Sequence, residues 1–146
     1  IATKFGQIYD SKSATIKKDF TLKNVKRQLD TSLKSLNTDF VDIYQFHSGN
    51  NEDFNNEELW SYMNKQVDKG TIGCIGVSMA HEMVENEDTH QLDRLEDIGA
   101  SVCQVVYNRL SSKAEKSFLP SLSKNNIGVI GRIPLAKGFL SGKYSP

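Results

Sequence analysis

Short runs of strand-forming residues alternate with longer segments of helical periodicity, and this alternation constrains the fold more than any other feature of the chain. Five runs are rich in Val, Ile or aromatic residues: IATKF (1–5), FVDIYQFH (40–47), TIGCIGVS (71–78), SVCQVVYN (101–108) and IGVIGRIP (127–134). The order is βαβαβαβαβ. Strands this apolar, separated by helices, predict an α/β fold in which helices cover a parallel sheet.

Four segments between these runs predict helices. An apolar stripe at helical spacing follows a candidate cap at Thr21 and consists of Leu22, Val25, Leu29, Leu33 and Leu36. The segment NEELWSYMNKQVDKG predicts a second helix that ends at Gly70, and HQLDRLEDIG predicts a third that ends at Gly99. KAEKSFLPSLSKNN predicts a weaker fourth helix, interrupted by Pro120.

Two polar segments lie at the ends of predicted strands and helices. The lysine-rich stretch from Lys12 to Arg27 is interpreted as a solvated loop followed by a helix face, with a phosphate-binding role as a second choice. Asn50 to Asn56 is polar and acidic and follows a strand, so it predicts a loop at the rim of a site.

Strand spacing fits either a doubly wound sheet or a (β/α)₈ barrel. The GxGxxG fingerprint of a doubly wound dinucleotide fold is absent, because Gly70, Gly73 and Gly76 are spaced by threes in and before a strand. This favours the (β/α)₈ TIM barrel. A complete barrel needs about 250 residues, so residues 1–146 are expected to form a single partial barrel domain with about five of the eight units.

Composition excludes several classes of protein. Among 146 residues, 18 Lys and Arg balance 18 Asp and Glu, which gives no global electrostatic reason to expect nucleic acid or an anionic membrane as partner. No apolar stretch is long enough to span a bilayer. Cys74 and Cys103 lie in apolar segments without a CxxC pair, so we expect no metal site, no disulfide framework and a reducing, cytoplasmic setting.

Polar side chains occur late in all five predicted strands. Strand alternation places them on one face, whose earlier positions are mostly small or apolar: Lys4, His47, Ser78, Gln104 and Arg132. Side chains at the carboxyl ends of barrel strands gather around a ligand, so these five are expected to converge at one level. Each alone has an ordinary structural explanation, such as a lysine that reaches solvent or an arginine paired with a surface carboxylate.

Five blocks of the sequence together resemble the aldo-keto reductase family, particularly its bacterial members and the related potassium-channel β-subunits. The blocks are IATKFG, SLKSLNTDFVDIYQFH, GTIGCIGVS, QVVYN and IPLAKGFLSGKY, and they follow the family's order along essentially the whole chain. The resemblance implies a (β/α)₈ barrel that binds NADP(H) at the carboxyl ends of the strands. It also implies a small-molecule carbonyl substrate, an aldehyde or ketone that is reduced to an alcohol.

The resemblance assigns roles to particular residues. Lys4 matches the family's catalytic lysine, His47 its catalytic histidine, and Ser78 and Gln104 the positions that hold the nicotinamide carboxamide. Met79 stands where the family often has Asn or Arg. The remaining cofactor positions implied are Arg132, beside the nicotinamide, and a pyrophosphate loop with Pro134, Leu135, Ala136, Lys137 and Lys143.

Two parts of the family's site have no counterpart in this sequence. The family's aspartate and tyrosine precede the ATKFG block, and none of Tyr9, Tyr44, Tyr62, Tyr107 and Tyr144 falls at the matching motif. Residues that grip the adenosine 2′-phosphate follow the last block. We therefore expect this chain to be a piece of a larger barrel, inactive alone, and either completed by other units or self-associated through its open edges.

Two other functions stay open at this point. A Schiff-base lyase on the same barrel would use Lys4 as its nucleophile. A non-catalytic module that senses a nicotinamide cofactor is suggested by analogy with the channel subunits. The sequence does not identify the substrate.

Overall fold

The computed structural model describes residues 1–144. Its main sheet has five parallel strands in chain order: β1 (Ala2–Phe5), β4 (Val41–His47), β5 (Ile72–Ser78), β6 (Ala100–Val106) and β7 (Gly128–Arg132). The predicted α/β fold and its five strands are confirmed. A doubly wound sheet reverses its strand order partway, whereas consecutive barrel units keep it, so this order favours the barrel.

Six α-helices connect the strands: α1 (Leu22–Leu36), α2 (Asn51–Phe54), α3 (Glu57–Asp68), α4 (His81–Glu85), α5 (His90–Asp93) and α6 (Phe118–Lys124). Each long helix has a side-chain cap that satisfies a free backbone N–H at its first turn. Thr21 Oγ1 accepts from Asn24 N at 3.4 Å before α1, and Asn56 Oδ1 accepts from Leu59 N at 3.2 Å before α3. Asn37 ends α1 in the left-handed conformation, with φ 51°.

The hydrophobic core lies between the helices and one face of the sheet. Its centre is aromatic, since the Phe46 ring on β4 lies 4.4 Å from Phe20 and 5.6 Å from both Phe54 and Trp60, centroid to centroid. Val129 on β7 is 46% exposed, so the core ends before that edge strand. Because strand side chains alternate, the other face of the sheet is left to the residues between the core positions.

A two-stranded antiparallel sheet was not predicted. Strands β2 (Gln7–Asp10) and β3 (Thr15–Lys18) form a hairpin between β1 and α1, so the prediction of a loop for the lysine-rich stretch is wrong at residues 15–18. Gly6 precedes the hairpin with φ +96°, and a Cβ there would lie 1.9 Å from the Phe20 ring, so only glycine fits. The strands are short and mostly exposed, which leaves no apolar alternation to detect.

Three predictions for the connecting segments also need correction. The expected rim loop at residues 50–56 contains helix α2, which Asn50 starts with a capping box. The third predicted helix is regular only over His90–Asp93, and α4 before it was not predicted. Pro120 does not interrupt α6, because the helix begins at Phe118 and the proline lies in its first turn, where a missing N–H costs nothing.

Candidate functional site

Hydrogen-bonded register shows how the polar strand ends are arranged. His47 on β4 is opposite Ser78 on β5, and Ser78 is opposite Gln104 on β6. Lys4 on β1 is opposite Gln45, which lies two residues before His47 on β4. Arg132 on β7 is opposite Val106, which lies two residues after Gln104 on β6. The five residues therefore do not share one register position, although Lys4 and Arg132 are both near enough to His47 to lower its pKa. These five residues alternate along the strands with the core residues, so their side chains lie on the face of the sheet that is turned away from the helices.

An open cleft of about 340 Å³ lies at the carboxyl end of this face. It is lined by Gln7, Lys18, His47, Ser48, Ala80, His81, Glu82 and Arg132. Lys18 and His81 were not predicted as site residues. Lys18 comes from the hairpin, whose position no local pattern indicates, and His81 comes from α4, three residues after a strand end, which is only a weak signal.

A second cleft of about 340 Å³ lies on the other side of Arg132 and is also lined by His81, Ala136 and Lys137. Pro134 lines a neighbouring depression, and Leu135 is 55% exposed beside it. Lys143 is exposed and is not among the residues that line these clefts. The structure thus brings Arg132 together with part of the predicted loop, and leaves Lys143 apart.

Three neighbouring strands of the main sheet carry buried polar atoms without partners. Among residues 1–144, Ser78 Oγ, Gln104 Oε1 and Gln45 Oε1 are buried and accept no hydrogen bond. An unsatisfied buried polar group costs about 1–3 kcal/mol. Gly76 makes room for this group, since a Cβ there would lie 2.7 Å from Gln45 Cγ. A ligand that brings N–H donors, such as a carboxamide, matches the chemistry of Ser78 and Gln104, but neither residue lines either cleft, so their covering atoms must move for a ligand to reach them.

Burial and, to a smaller extent, neighbouring positive charge lower the pKa of the two titratable groups Lys4 and His47. Burial lowers the pKa of Lys4 below its ordinary value, and Arg132 lowers it further. Burial, Lys4, Arg132 and Lys18 together lower the pKa of His47, so its ring is neutral at pH 7 and carries one N–H donor. No carboxylate within residues 1–144 forms an ion pair with Lys4 or Arg132.

Met79 and the tyrosines lie outside the candidate site. The Met79 side chain is 1% exposed and belongs to the core on the helix side of the sheet, so it offers no polar contact to a ligand. Tyr44 is also in the core, where burial raises its pKa. None of the five tyrosines lines either cleft beside Arg132.

Residues 1–144 hold neither a cluster of metal ligands nor a membrane-spanning helix. No group of three or more His, Cys, Asp or Glu side chains in residues 1–144 is arranged to hold a metal ion. None of the helices in that range has the length and apolar character needed to cross a membrane. Cys74 and Cys103 are free thiols.

The consecutive parallel strands and polar strand ends define a protein of the (β/α)₈-barrel class, and comparison with known proteins identifies its family. The model of the aldo/keto reductase family matches residues 1–146. The chain belongs to that family, as its sequence blocks predicted.

Individual relatives agree with this assignment. The chain is 33% identical over 129 residues to a probable voltage-gated potassium channel subunit beta of Arabidopsis thaliana, covering 88% of the chain and 39% of that protein. It is 32% identical over 145 residues to an L-glyceraldehyde 3-phosphate reductase of Escherichia coli, covering 99% of the chain and 41% of that protein. The chain thus spans about two fifths of the length of these relatives.

Solved structures confirm the barrel architecture. A glycerol dehydrogenase of Gluconobacter oxydans superposes with a TM-score of 0.84 at 24% identity, over 99% of this chain and 43% of that one. An aldo-keto reductase of Bacillus halodurans superposes with a TM-score of 0.80 at 24% identity, over 100% of this chain and 46% of that one. The five-stranded sheet therefore corresponds to consecutive units of a (β/α)₈ barrel.

Proposed function

We propose that this chain forms the central part of an NADP(H)-dependent reductase that converts an aldehyde or ketone to an alcohol. The observation that carries the proposal is the pair of buried, unpartnered acceptors Ser78 Oγ and Gln104 Oε1, which lie on adjacent strands at the same register as His47. The family relationship supports the same chemistry. One relative is named an aldo-keto reductase that uses NADP(+).

In this proposal the polar strand ends hold the nicotinamide half of the cofactor. Ser78 and Gln104 satisfy their buried acceptors with the carboxamide, and Arg132 lies beside the ring. The rest of the cofactor follows the second cleft, where Ala136 and Lys137 are the proposed contacts. Pro134, Leu135 and Lys143 are proposed as further contacts from the family resemblance alone, since they do not line that cleft. The bound cofactor supplies hydride, and the protein supplies position and field.

His47 and Lys4 act on the carbonyl group. Negative charge builds on the carbonyl oxygen during reduction, and a hydrogen-bond donor aimed at that oxygen stabilises it. The neutral ring of His47 donates through its N–H, because its lowered pKa keeps it uncharged at pH 7. Lys4 supplies positive charge that favours the phenolate form of a neighbouring tyrosine and so eases transfer of the phenol proton to the oxygen.

The tyrosine and the aspartate of that machinery are placed outside these 146 residues. None of the five tyrosines in the described part of the chain lines the two clefts beside Arg132. The chain is therefore proposed to bind the cofactor without reducing a carbonyl by itself, in a reducing, cytoplasmic setting that its two free thiols support. Turnover of a simple aldehyde by the pure chain would contradict this part of the proposal.

Fluorescence titration with NADPH tests the cofactor site directly. The wild-type chain is compared with Ser78→Ala and Gln104→Leu, and Ser117→Ala serves as the control because Ser117 Oγ is also buried and unpartnered but lies outside the site. We expect saturable binding that each site substitution weakens about tenfold, the equivalent of one lost hydrogen bond. Equal affinity in Ser78→Ala and Ser117→Ala would contradict the site.

A Schiff-base lyase is a second candidate, favoured by one observation. Lys4 is partly buried, forms no ion pair within residues 1–144 and has a lowered pKa, which favours the neutral amine that attacks a carbonyl carbon. Borohydride treatment in the presence of a carbonyl compound separates the two functions. A covalent adduct on Lys4 supports the lyase, whereas the reductase gives none.

A module that binds the cofactor without catalysis is favoured by the potassium-channel relative. Nicotinamide binding without hydride transfer in a protein that contains the complete barrel would support it. The same protein reducing an aldehyde would exclude it.

A further inference from the structure

The cleft that contains His47 carries an excess of positive charge. Lys18 and Arg132 line it, and Lys4 lies close enough to depress protonation of His47. Glu82 is the single carboxylate among the lining residues of this cleft in the described part of the chain. Cationic side chains gathered in a concave site attract anions, since their fields add where solvent is restricted.

Lys18 is held in place at the rim of this cleft. Its Nζ donates to the Ser48 carbonyl at 2.7 Å, which uses one of three N–H donors and leaves two for a ligand. The hairpin that carries Lys18 is fastened at its first strand, where Gln7 Nε2 donates to the His47 carbonyl at 3.4 Å. Less side-chain freedom is therefore lost when an anion binds.

Gln28 on α1 secures the same hairpin. Its Oε1 accepts from Gly6 N at 2.8 Å, and its Nε2 donates to the Gln7 carbonyl at 2.8 Å. Both groups of one amide thus hold the backbone where β1 passes into β2. Lys18 is therefore positioned by the attachment of the whole hairpin to α1 as well as by its own hydrogen bond to Ser48.

The neighbouring lysine shows that the arrangement is particular to Lys18. Lys17 is next in the same strand, so its side chain leaves the opposite face of the hairpin. It pairs with Asp10, with Nζ 3.3 Å from Oδ2, and it does not line the cleft. Lys17 therefore provides a control of the same residue type on the same strand.

We propose that Lys18 binds an anionic group on the carbonyl substrate, so that the substrates are aldehydes or ketones that carry a carboxylate or a phosphate. This inference rests on the proposed function, in which His47 holds the carbonyl oxygen. Lys18 and His47 line the same cleft, so one small molecule reaches both. The anionic parts of the cofactor are placed in the second cleft, beyond Arg132, where Ala136 and Lys137 lie.

Nuclear magnetic resonance titration of the 146-residue chain tests this without turnover. The probes are the alcohol products, which cannot condense with lysines: 4-hydroxybutanoate, glycerol 3-phosphate and neutral butan-1-ol. The His47 ring resonances report binding and are assigned with His47→Gln. We expect saturable shifts with the two anions, none with butan-1-ol, and a Kd about tenfold higher in Lys18→Met, the size of one charge-assisted hydrogen bond. Lys17→Met should change the Kd less than twofold.

Each other outcome has a definite meaning. Tighter binding of one anion identifies the group as carboxylate or phosphate. Equal affinities in Lys18→Met and Lys17→Met, shifts of equal size with butan-1-ol, or no saturable shift would overturn the inference. Displacement of the anions by NADP⁺ would assign Lys18 to the cofactor and would also overturn it. The reductase proposal is tested separately by the Ser78→Ala titration, so either can fail while the other stands.

Discussion

His47 lies among three cationic side chains, and this position links its protonation to the stability of the fold. Burial and the charges of Lys4, Arg132 and Lys18 lower its pKa below the ordinary 6.5. The unfolded chain then binds the proton more tightly than the folded chain does. The fold is therefore most stable with respect to His47 above about pH 6.5, where the ring is neutral in both states. It loses this part of its free energy of unfolding as the pH falls from 6.5 toward the lower pKa of His47 in the folded chain.

Substitution of His47 should remove that part of the pH dependence. We expect His47→Gln to lose less stability than the wild type between about pH 7.5 and 5.5, because glutamine binds no proton. Urea unfolding at both values measures the difference, with His90→Gln as a control at an exposed histidine outside the clefts. An unchanged pH dependence in His47→Gln would show that the ring is not perturbed by its neighbours.

The candidate site was predictable only where it lies on strands. Alternation within buried strands placed His47, Ser78 and Gln104 on one face, since strand geometry fixes side-chain direction. The same rule could not reach Lys18 or His81, because a hairpin and a short helix carry them into the cleft through tertiary contacts. It also could not supply the register that pairs Lys4 with Gln45 and Arg132 with Val106.

At the scale of single elements, the β2–β3 hairpin depends on Gln28. Replacing Gln28 with Leu leaves Gly6 N–H and the Gln7 carbonyl without the partners seen at 2.8 Å each. We expect a loss of about 1–3 kcal/mol in the free energy of unfolding, the cost of unsatisfied polar groups. Hydrogen exchange at the Gly6 amide should become faster as well.

Lys23→Leu is the matched control, because Lys23 is exposed on the same helix. It should change the free energy of unfolding by less than about 0.5 kcal/mol. Similar losses in the two variants would mean that the Gln28 contacts do not hold the hairpin.

Central and edge strands should respond very differently to truncation. Phe46 on β4 is 0% exposed and contacts several aromatic rings, whereas Val129 on β7 is 46% exposed. We expect Phe46→Ala to cost about 3–5 kcal/mol, because it removes contacts and leaves a cavity. Val129→Ala should cost less than about 0.5 kcal/mol. Chemical denaturation of both variants checks the contrast, and comparable losses would contradict the described core.

At the scale of the whole molecule, the sheet has two open edges. Strands β1 and β7 each pair with a single strand within residues 1–144. Unpaired strand edges and exposed apolar side chains favour association with further strands. We expect the average mass of the chain to rise with concentration in sedimentation experiments.

Val129→Lys should weaken this association, because a charge on an edge strand opposes strand pairing. Lys124→Arg, which changes no charge near that edge, is the control. A chain that stays monomeric at every concentration would show that the edge strands β1 and β7 do not drive self-association.

The order of strands and helices was more predictable than the connecting segments, because the sequence patterns of the main strands and helices extend over many residues. Each parallel strand is a buried apolar run, and α1 and α3 show clear helical periodicity, so β and α alternate visibly in the sequence. Helices α2, α4 and α5 have only four or five residues, less than two turns, and cannot show a period. The hairpin lacks a buried face and so lacks the pattern by which strands are recognised.

The attachment of the hairpin has an evolutionary consequence. Gln28, Gln7 and Lys18 hold its two ends through four hydrogen bonds, while Lys4 and His47 lie on strands of the main sheet. Residues 8–17 do not line the cleft beside His47, so substitutions there can accumulate while Gln7 and Lys18 keep their places in it. The outer part of the hairpin can therefore vary among related sequences while its two ends stay fixed to the main sheet and to α1.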